Sequence, residues 1–138
     1  MAMSKNGVGI IFHSGSYDRI YHGLSIASTA GALGREVRLF FTYWALEYLR
    51  KRETPLFELN KEAENHKEII KRNIEKEHMH KISELIAQSK SMGSKFYACT
   101  NSMGLLNISR NELIKDVDKS MGMTTFLTET ADYQILFI

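Results

Sequence analysis

The sequence predicts an α/β fold built on a mainly parallel five-stranded sheet. Three observations carry that prediction. Short, nearly continuous apolar runs such as Val8-Gly9-Ile10-Ile11-Phe12 and Val37-Arg38-Leu39-Phe40-Phe41 read as strands buried on both faces. Between such runs, apolar residues recur every three or four positions, as in helices that pack on a sheet. Glycines at Gly34 and Gly93 stop two of these helices just ahead of strands. Strand-helix alternation of this kind favours parallel pairing through right-handed crossovers.

In chain order, Val8 to Phe12 is the first strand and His13 to Tyr17 the turn after it. Ser16 or Asp18 can cap the following helix, whose apolar face is Ile20, Leu24, Ala27 and Ala30/Gly31. Its many small residues allow close packing. Val37 to Thr42 is the second strand, with Tyr43 and Trp44 at its end and a short helix expected over 45–52. Pro55, the single proline, marks a break. Residues 58–81 change character: half of them are charged, and apolar residues are sparse. This stretch reads as a solvated helical insertion with one thin apolar stripe. Glu68 with Arg72 and Glu77 with Lys81 have helix ion-pair spacing.

Periodicity strengthens through Ile82, Leu85, Ile86 and Met92, and the strand Phe96-Tyr97-Ala98 follows. Ser109 to Glu112 forms a capping-box pattern ahead of Leu113, Ile114 and Val117, so a helix is expected to about Met121-Gly122. Met123 to Leu127 is read as the fourth strand, 129–132 as a brief helical turn, and Gln134 to Ile138 as the last strand.

Composition fits one domain, residues 1–138, that is 43% hydrophobic and 25% charged. A net charge of +2 gives no argument for nucleic acid or an anionic membrane. Met1 to Gly7 does not read as a signal peptide, and no apolar run approaches the roughly 18 residues of a membrane span. The expected setting is therefore cytoplasmic and reducing.

The single cysteine, Cys99, cannot close an internal disulfide. It falls at a strand end, followed by Thr100, Asn101 and Ser102, all good helix N-caps. A helix starting there points its free N–H groups towards the sulfur and favours the thiolate. Spacing leaves two readings of Cys99 open, a reactive thiol or an inert core residue. His13, at another strand end, is a candidate general base or a plain polar residue. Tyr17, Tyr43 and Trp44 can wall a pocket or fill a subunit interface. His66, His78 and His80 lie in the charged stretch without converging spacing, so no metal site is expected. The glycines match neither a P-loop nor a dinucleotide fingerprint, and no cofactor is expected.

The block Phe96-Tyr97-Ala98-Cys99-Thr100-Asn101-Ser102-Met103 resembles the DsrE/DsrF-like family of sulfur-handling proteins. Glu112-Leu113-Ile114, Met121-Gly122, Thr125-Phe126-Leu127, Ile135 to Ile138 and the N-terminal Ile11 to Arg19 are similar too. The resemblance implies a three-layer α/β/α sandwich and homotrimers or homohexamers. It implies that Cys99 carries sulfur as a persulfide, with partners of the TusA or rhodanese kind. Ser16 stands where an acidic residue is common, and Asn107 where glycine is common. The function expected is a sulfur carrier or sulfurtransferase with Cys99 and His13 as its chemical groups and Tyr17, Tyr43, Thr100, Asn101 and Ser102 around them. The alternatives are a thiol peroxidase or a non-enzymatic oligomeric subunit. With no second cysteine, any oxidised form of Cys99 has to be resolved by another molecule.

Overall fold

The computed structural model describes residues 6–138, so part of the N-terminal stretch read as lacking a leader, residues 1–5, lies outside it. The strands are β1 (Val8–Phe12), β2 (Val37–Phe41), β3 (Lys95–Cys99), β4 (Lys119–Met121) and β5 (Gln134–Phe137). The helices are α1 (Tyr17–Ala32), α2 (Lys67–Glu75), α3 (Ile82–Ser91), α4 (Thr100–Leu105) and α5 (Met123–Glu129). The strands form one sheet in the order β4-β3-β2-β1-β5. All four pairings are parallel, as the apolar runs predict.

Side chains alternate across the sheet and divide the core in two. Ile10, Phe12, Leu39, Phe41, Phe96 and Ala98 face α1 and α3 and belong to the main core. Ile11, Phe40, Tyr97 and Cys99 face the other way and form a small cluster with Met121 of β4 and Phe126 of α5. The small residues of α1 do what they predict. A Cβ at Gly23 would sit 2.2 Å from Cε1 of Phe12, so only glycine lets the helix lie this close to β1. Gly34 (φ +79°) and Gly93 (φ +94°) adopt the left-handed conformation that ends α1 and α3.

Three regions differ from the sequence reading. The helix expected after Ser109 is a single 3-10 turn, Arg110–Glu112, although its capping box forms. The chain then leaves the helix at Leu113, which pairs with Arg50, and turns at 115–116, because the preceding connection captures it. The Lys51 N–H donates to the Glu112 carbonyl and the Ile114 N–H to the Leu49 carbonyl, both at 2.8 Å. Leu113 and Val117 are buried by that docking, not by a helix face. Second, 123–127 is helix α5, and the fourth strand is the short edge segment Lys119–Met121. Third, the 45–52 helix is a 3-10 helix, Tyr43–Leu49.

The charged insertion is helical only in part. Its first residues form an extended strap. The Tyr17 N–H donates to the Glu58 carbonyl at 2.6 Å, and the Asn60 N–H to Ser16 Oγ at 2.8 Å. A 3-10 turn (Glu64–His66) and α2 follow. Glu68–Arg72 and Glu77–Lys81 do not close as ion pairs. α2 ends at Glu75, and Glu77 itself turns left-handed (φ +59°), which takes the second pair off the helix. Met92, expected on the packed face of α3, is the helix's C-cap and 43% exposed.

Among the described residues, no helix is long and apolar enough to cross a membrane.

Candidate functional site

The carboxyl ends of β1, β2 and β3 bring the candidate residues to one rim, as expected of an open parallel sheet. Phe12 pairs with Phe41, and Phe41 with Ala98. The next row is therefore His13, Thr42 and Cys99, with Cys99 opposite Met121 on β4. At roughly 4.8 Å per strand, His13 and Cys99 sit about 10 Å apart along that row. Thr42 lies between them, buried, its hydroxyl donating to the Phe12 carbonyl at 2.8 Å.

Cys99 occupies the N-cap position of α4, with the strand-like φ of −74° and ψ of 118° that a cap needs. Helix α4 thus begins at Thr100, directly after the sulfur, and Thr100, Asn101 and Ser102 lie inside it. The sulfur takes no capping hydrogen bond from the helix's first N–H groups. Cys99 is only 5% exposed and packs among Ile11, Phe40, Tyr97, Met121 and Phe126. Phe126 stacks on Phe40 with ring centroids 4.7 Å apart, so α5 roofs the thiol.

His13 is half-buried and meets aromatic rings. Its imidazole lies 4.7 Å from the Tyr43 ring and 5.8 Å from that of Phe137. It makes no hydrogen bond to Cys99; Thr42 separates them. Tyr43 is held in place by Ser102, which is fully buried and whose Oγ accepts the Tyr43 N–H at 2.9 Å. Tyr43 has a φ of +45°, which a non-glycine residue adopts only when its surroundings impose it. Ser102 is thus the link between α4, which starts at the thiol, and the ring that shields His13. Thr100 and Asn101 are exposed on the first turn of α4.

Tyr17 is not brought to this rim. Its side chain continues the Ile20–Leu24–Ala27 stripe of α1 and so points to the main core. Its ring packs 4.9 Å from that of Phe57 in the strap. Burial pushes its phenol up to about 12, with Tyr21 adding to the effect. Tyr48, which donates to the Gly15 carbonyl at 2.7 Å, is likewise raised by burial.

Sequence reasoning missed three contributors. Met121 and Phe126 cover the thiol, but they lie in segments assigned to the wrong element type. Phe137, 69% exposed beside His13, was read only as part of a closing strand. The alternation of β5 held the signal: Leu136 and Ile138 pack on the main core, which turns Ile135 and Phe137 to the thinly covered face. Asn107 adopts a φ of +54°, in the region glycine favours and asparagine tolerates best among other residues. Ser16, where an acidic residue is common, uses its hydroxyl to hold the strap and to bond Asp18. Among the described residues, no three His, Cys, Asp or Glu side chains converge as a metal-ligand set.

Comparison with known proteins agrees with this architecture. The chain is 28% identical over 153 residues to the uncharacterized protein YrkE of Bacillus subtilis, covering 94% of each. A stretch of 50 residues is 44% identical to the sulfur carrier protein DsrE2 of Allochromatium vinosum, covering 36% of this chain and 31% of that one. Among solved structures, the fold is similar to the ychN protein of E. coli (TM-score 0.69, 14% identity, 96% of this chain and 99% of that one). It is also similar to the protein of unknown function MTH1491 of Methanobacterium thermoautotrophicum (TM-score 0.58, 17% identity, 98% and 100% covered). The family model for DsrE/DsrF/DrsH-like proteins matches residues 4–66 and 57–138. A parallel five-stranded sheet of this topology, a family match over nearly the whole length and a partial match to a sulfur carrier agree: the chain belongs to the DsrE/DsrF/DrsH-like family, one with sulfur-relay members.

Proposed function

We propose that this protein carries sulfane sulfur on Cys99 and passes it to a partner thiol. The observation that supports this most directly is the position of Cys99, alone at the end of β3 and the start of α4, in a chain of this family. The Cys99 thiolate attacks the outer sulfur of a donor persulfide. The donor S–S bond breaks, the donor leaves as a thiolate, and Cys99 becomes a persulfide. A partner thiolate then attacks the outer sulfur, and Cys99 leaves as the thiolate. Both steps are exchanges between sulfurs and need no external oxidant. His13, in the same row, is the proposed proton carrier for the incoming thiol. The partner is a sulfur-carrier protein of the TusA or rhodanese type. A homotrimer or homohexamer is the proposed assembly, supported by exposed apolar side chains beside the rim: Phe137, Leu105, Leu127 and Met123.

The test is incubation with polysulfide followed by intact mass. The expected result is one added sulfur, removed by dithiothreitol and absent in Cys99→Ser. No adduct, or an adduct that survives in Cys99→Ser, overturns the proposal.

One observation favours a second reading, a structural cysteine in a non-enzymatic subunit: the thiol is 5% exposed within an apolar cluster. That reading predicts no labelling by iodoacetamide in the native state and a Cys99→Ser variant changed only in stability. Labelling that outpaces global unfolding eliminates it.

A further inference from the structure

On the face of the sheet away from Cys99, a cavity of about 570 Å³ lies between α1, α3 and the strap. That volume is within the roughly 300–1,000 Å³ of small-molecule sites. Its walls are Leu56, Phe57, Ile74, Ile82, Ile86 and Ile114. The two phenols that reach it are already engaged. Tyr48 donates to the Gly15 carbonyl, and the Tyr17 ring packs against that of Phe57. An occupant's body therefore meets an apolar wall and has to be apolar itself.

The polar groups stand at the mouth. Arg50, Arg52, Lys71 and Lys81 outnumber Glu75 and Asp116 there. Arg50 is taken by Glu47 and Glu112, and Arg52 by Glu47. Among the described residues, Lys71 and Lys81 close no ion pair, although Lys81 stands near enough to Glu84 to help lower its carboxyl, so both ammonium groups remain open to a ligand. Part of the cavity's cover is loosely held. α2 contributes Lys71, Ile74 and Glu75 to the lining yet buries none of its nine residues. An element with so little buried surface opens locally without unfolding the core.

We propose that this cavity binds a medium-chain aliphatic carboxylate, its chain along the apolar walls and its head at the Lys71–Lys81 mouth. The site is independent of the sulfur chemistry, so it stands or falls apart from Cys99.

Calorimetric titration of the full chain with decanoate, below its micelle concentration, tests this. Saturable binding of one decanoate per chain is expected. Ser83→Trp, at an exposed lining position, abolishes it by filling the mouth. Lys71→Glu with Lys81→Glu weakens decanoate about tenfold and leaves neutral decanol unchanged. Thr124→Ala, exposed on α5 on the opposite face, changes nothing. No saturable heat overturns the proposal, as does binding that survives Ser83→Trp or is lost in Thr124→Ala. Equal weakening of decanoate and decanol overturns the carboxylate assignment. If decanoate does not bind and Ser83→Trp lowers the assembly mass by light scattering, a second copy covers the cavity and the proposal fails.

Discussion

The side of the sheet under α1 and α3 and the side under α5 are packed differently. On the first, Phe12, Phe41 and Phe96 are fully buried, with Phe12 and Phe41 stacked at 4.4 Å. On the second, a single seven-residue helix covers five core residues with its own Phe126, and Ile135, Leu127, Met123 and Phe137 remain exposed around them. A thick core fixes the sheet from one side. The thin side holds the thiol under one short helix, and the expected cost of opening that helix locally is smaller than that of global unfolding. The difference teaches where stability and chemistry are divided: the face that stabilises the fold is not the face that presents Cys99.

The strongest way to break this comparison is a matched pair of large-to-small substitutions. Phe96→Ala and Phe126→Ala each remove a fully buried ring, one from each face, and each is expected to cost about 3–5 kcal/mol in urea unfolding. Their effects on Cys99 should part. In Phe126→Ala, native-state alkylation of Cys99 rises well beyond what the lost global stability explains. In Phe96→Ala it follows global unfolding. Alkylation that tracks stability identically in both variants would show that α5 is no local cover.

A smaller effect is expected at Asp118, which ties the thick face to the edge strands. Its carboxylate accepts from Lys90 Nζ at 2.8 Å through both oxygens and from the Phe96 N–H at 2.7 Å. Burial pushes this carboxyl up, but Lys90 and the Phe96 N–H outweigh it and hold it below its ordinary 3.8. A carboxyl lowered by folding contributes stability that is complete above the ordinary value and lost as pH falls through the lowered one. Asp118→Asn should cost about 1–2 kcal/mol at neutral pH. Its urea midpoint should also fall less than that of the parent between pH 5 and pH 3 (about the range such a group spans). Parallel pH profiles would remove Asp118 from the account.

The smallest effect on folding is expected at the exposed rim. Phe137→Ser should change monomer stability by no more than about 0.5 kcal/mol. If the thin face is an assembly surface, the same substitution lowers the mass measured by light scattering. An unchanged mass would leave the apolar rim without that role.

The parallel sheet was legible because doubly buried strands have to be almost continuously apolar, and Val8 to Phe12, Val37 to Phe41 (broken only by Arg38) and Phe96 to Ala98 are. Gly34 and Gly93 were legible because a left-handed helix stop has a residue preference of its own. Residues 113–127 were not. Leu113, Ile114 and Val117 have helical spacing, yet the backbone bonds of Glu112 and Ile114 to Lys51 and Leu49 pull the chain out of a helix at Leu113, and a turn leads on to Val117. Met123 to Leu127 contains strand-forming residues, but Phe126 is the one buried side chain of α5, and the helix turns it inward over Cys99. Local propensity is weak beside such tertiary bonds.

By itself the sequence determined the α/β class, the strand-end position of Cys99 and the start of a helix just after it. These follow from hydrophobic period and backbone preference, which act over a few residues. Only the tertiary structure decided which face the thiol points to, what covers it, and that Tyr17 belongs to the other side. Those depend on strand order and register, where a shift of one residue exchanges the two faces. Tertiary packing also put Ser102 under Tyr43 and Tyr43 against His13, contacts between residues far apart in the chain that no local pattern encodes.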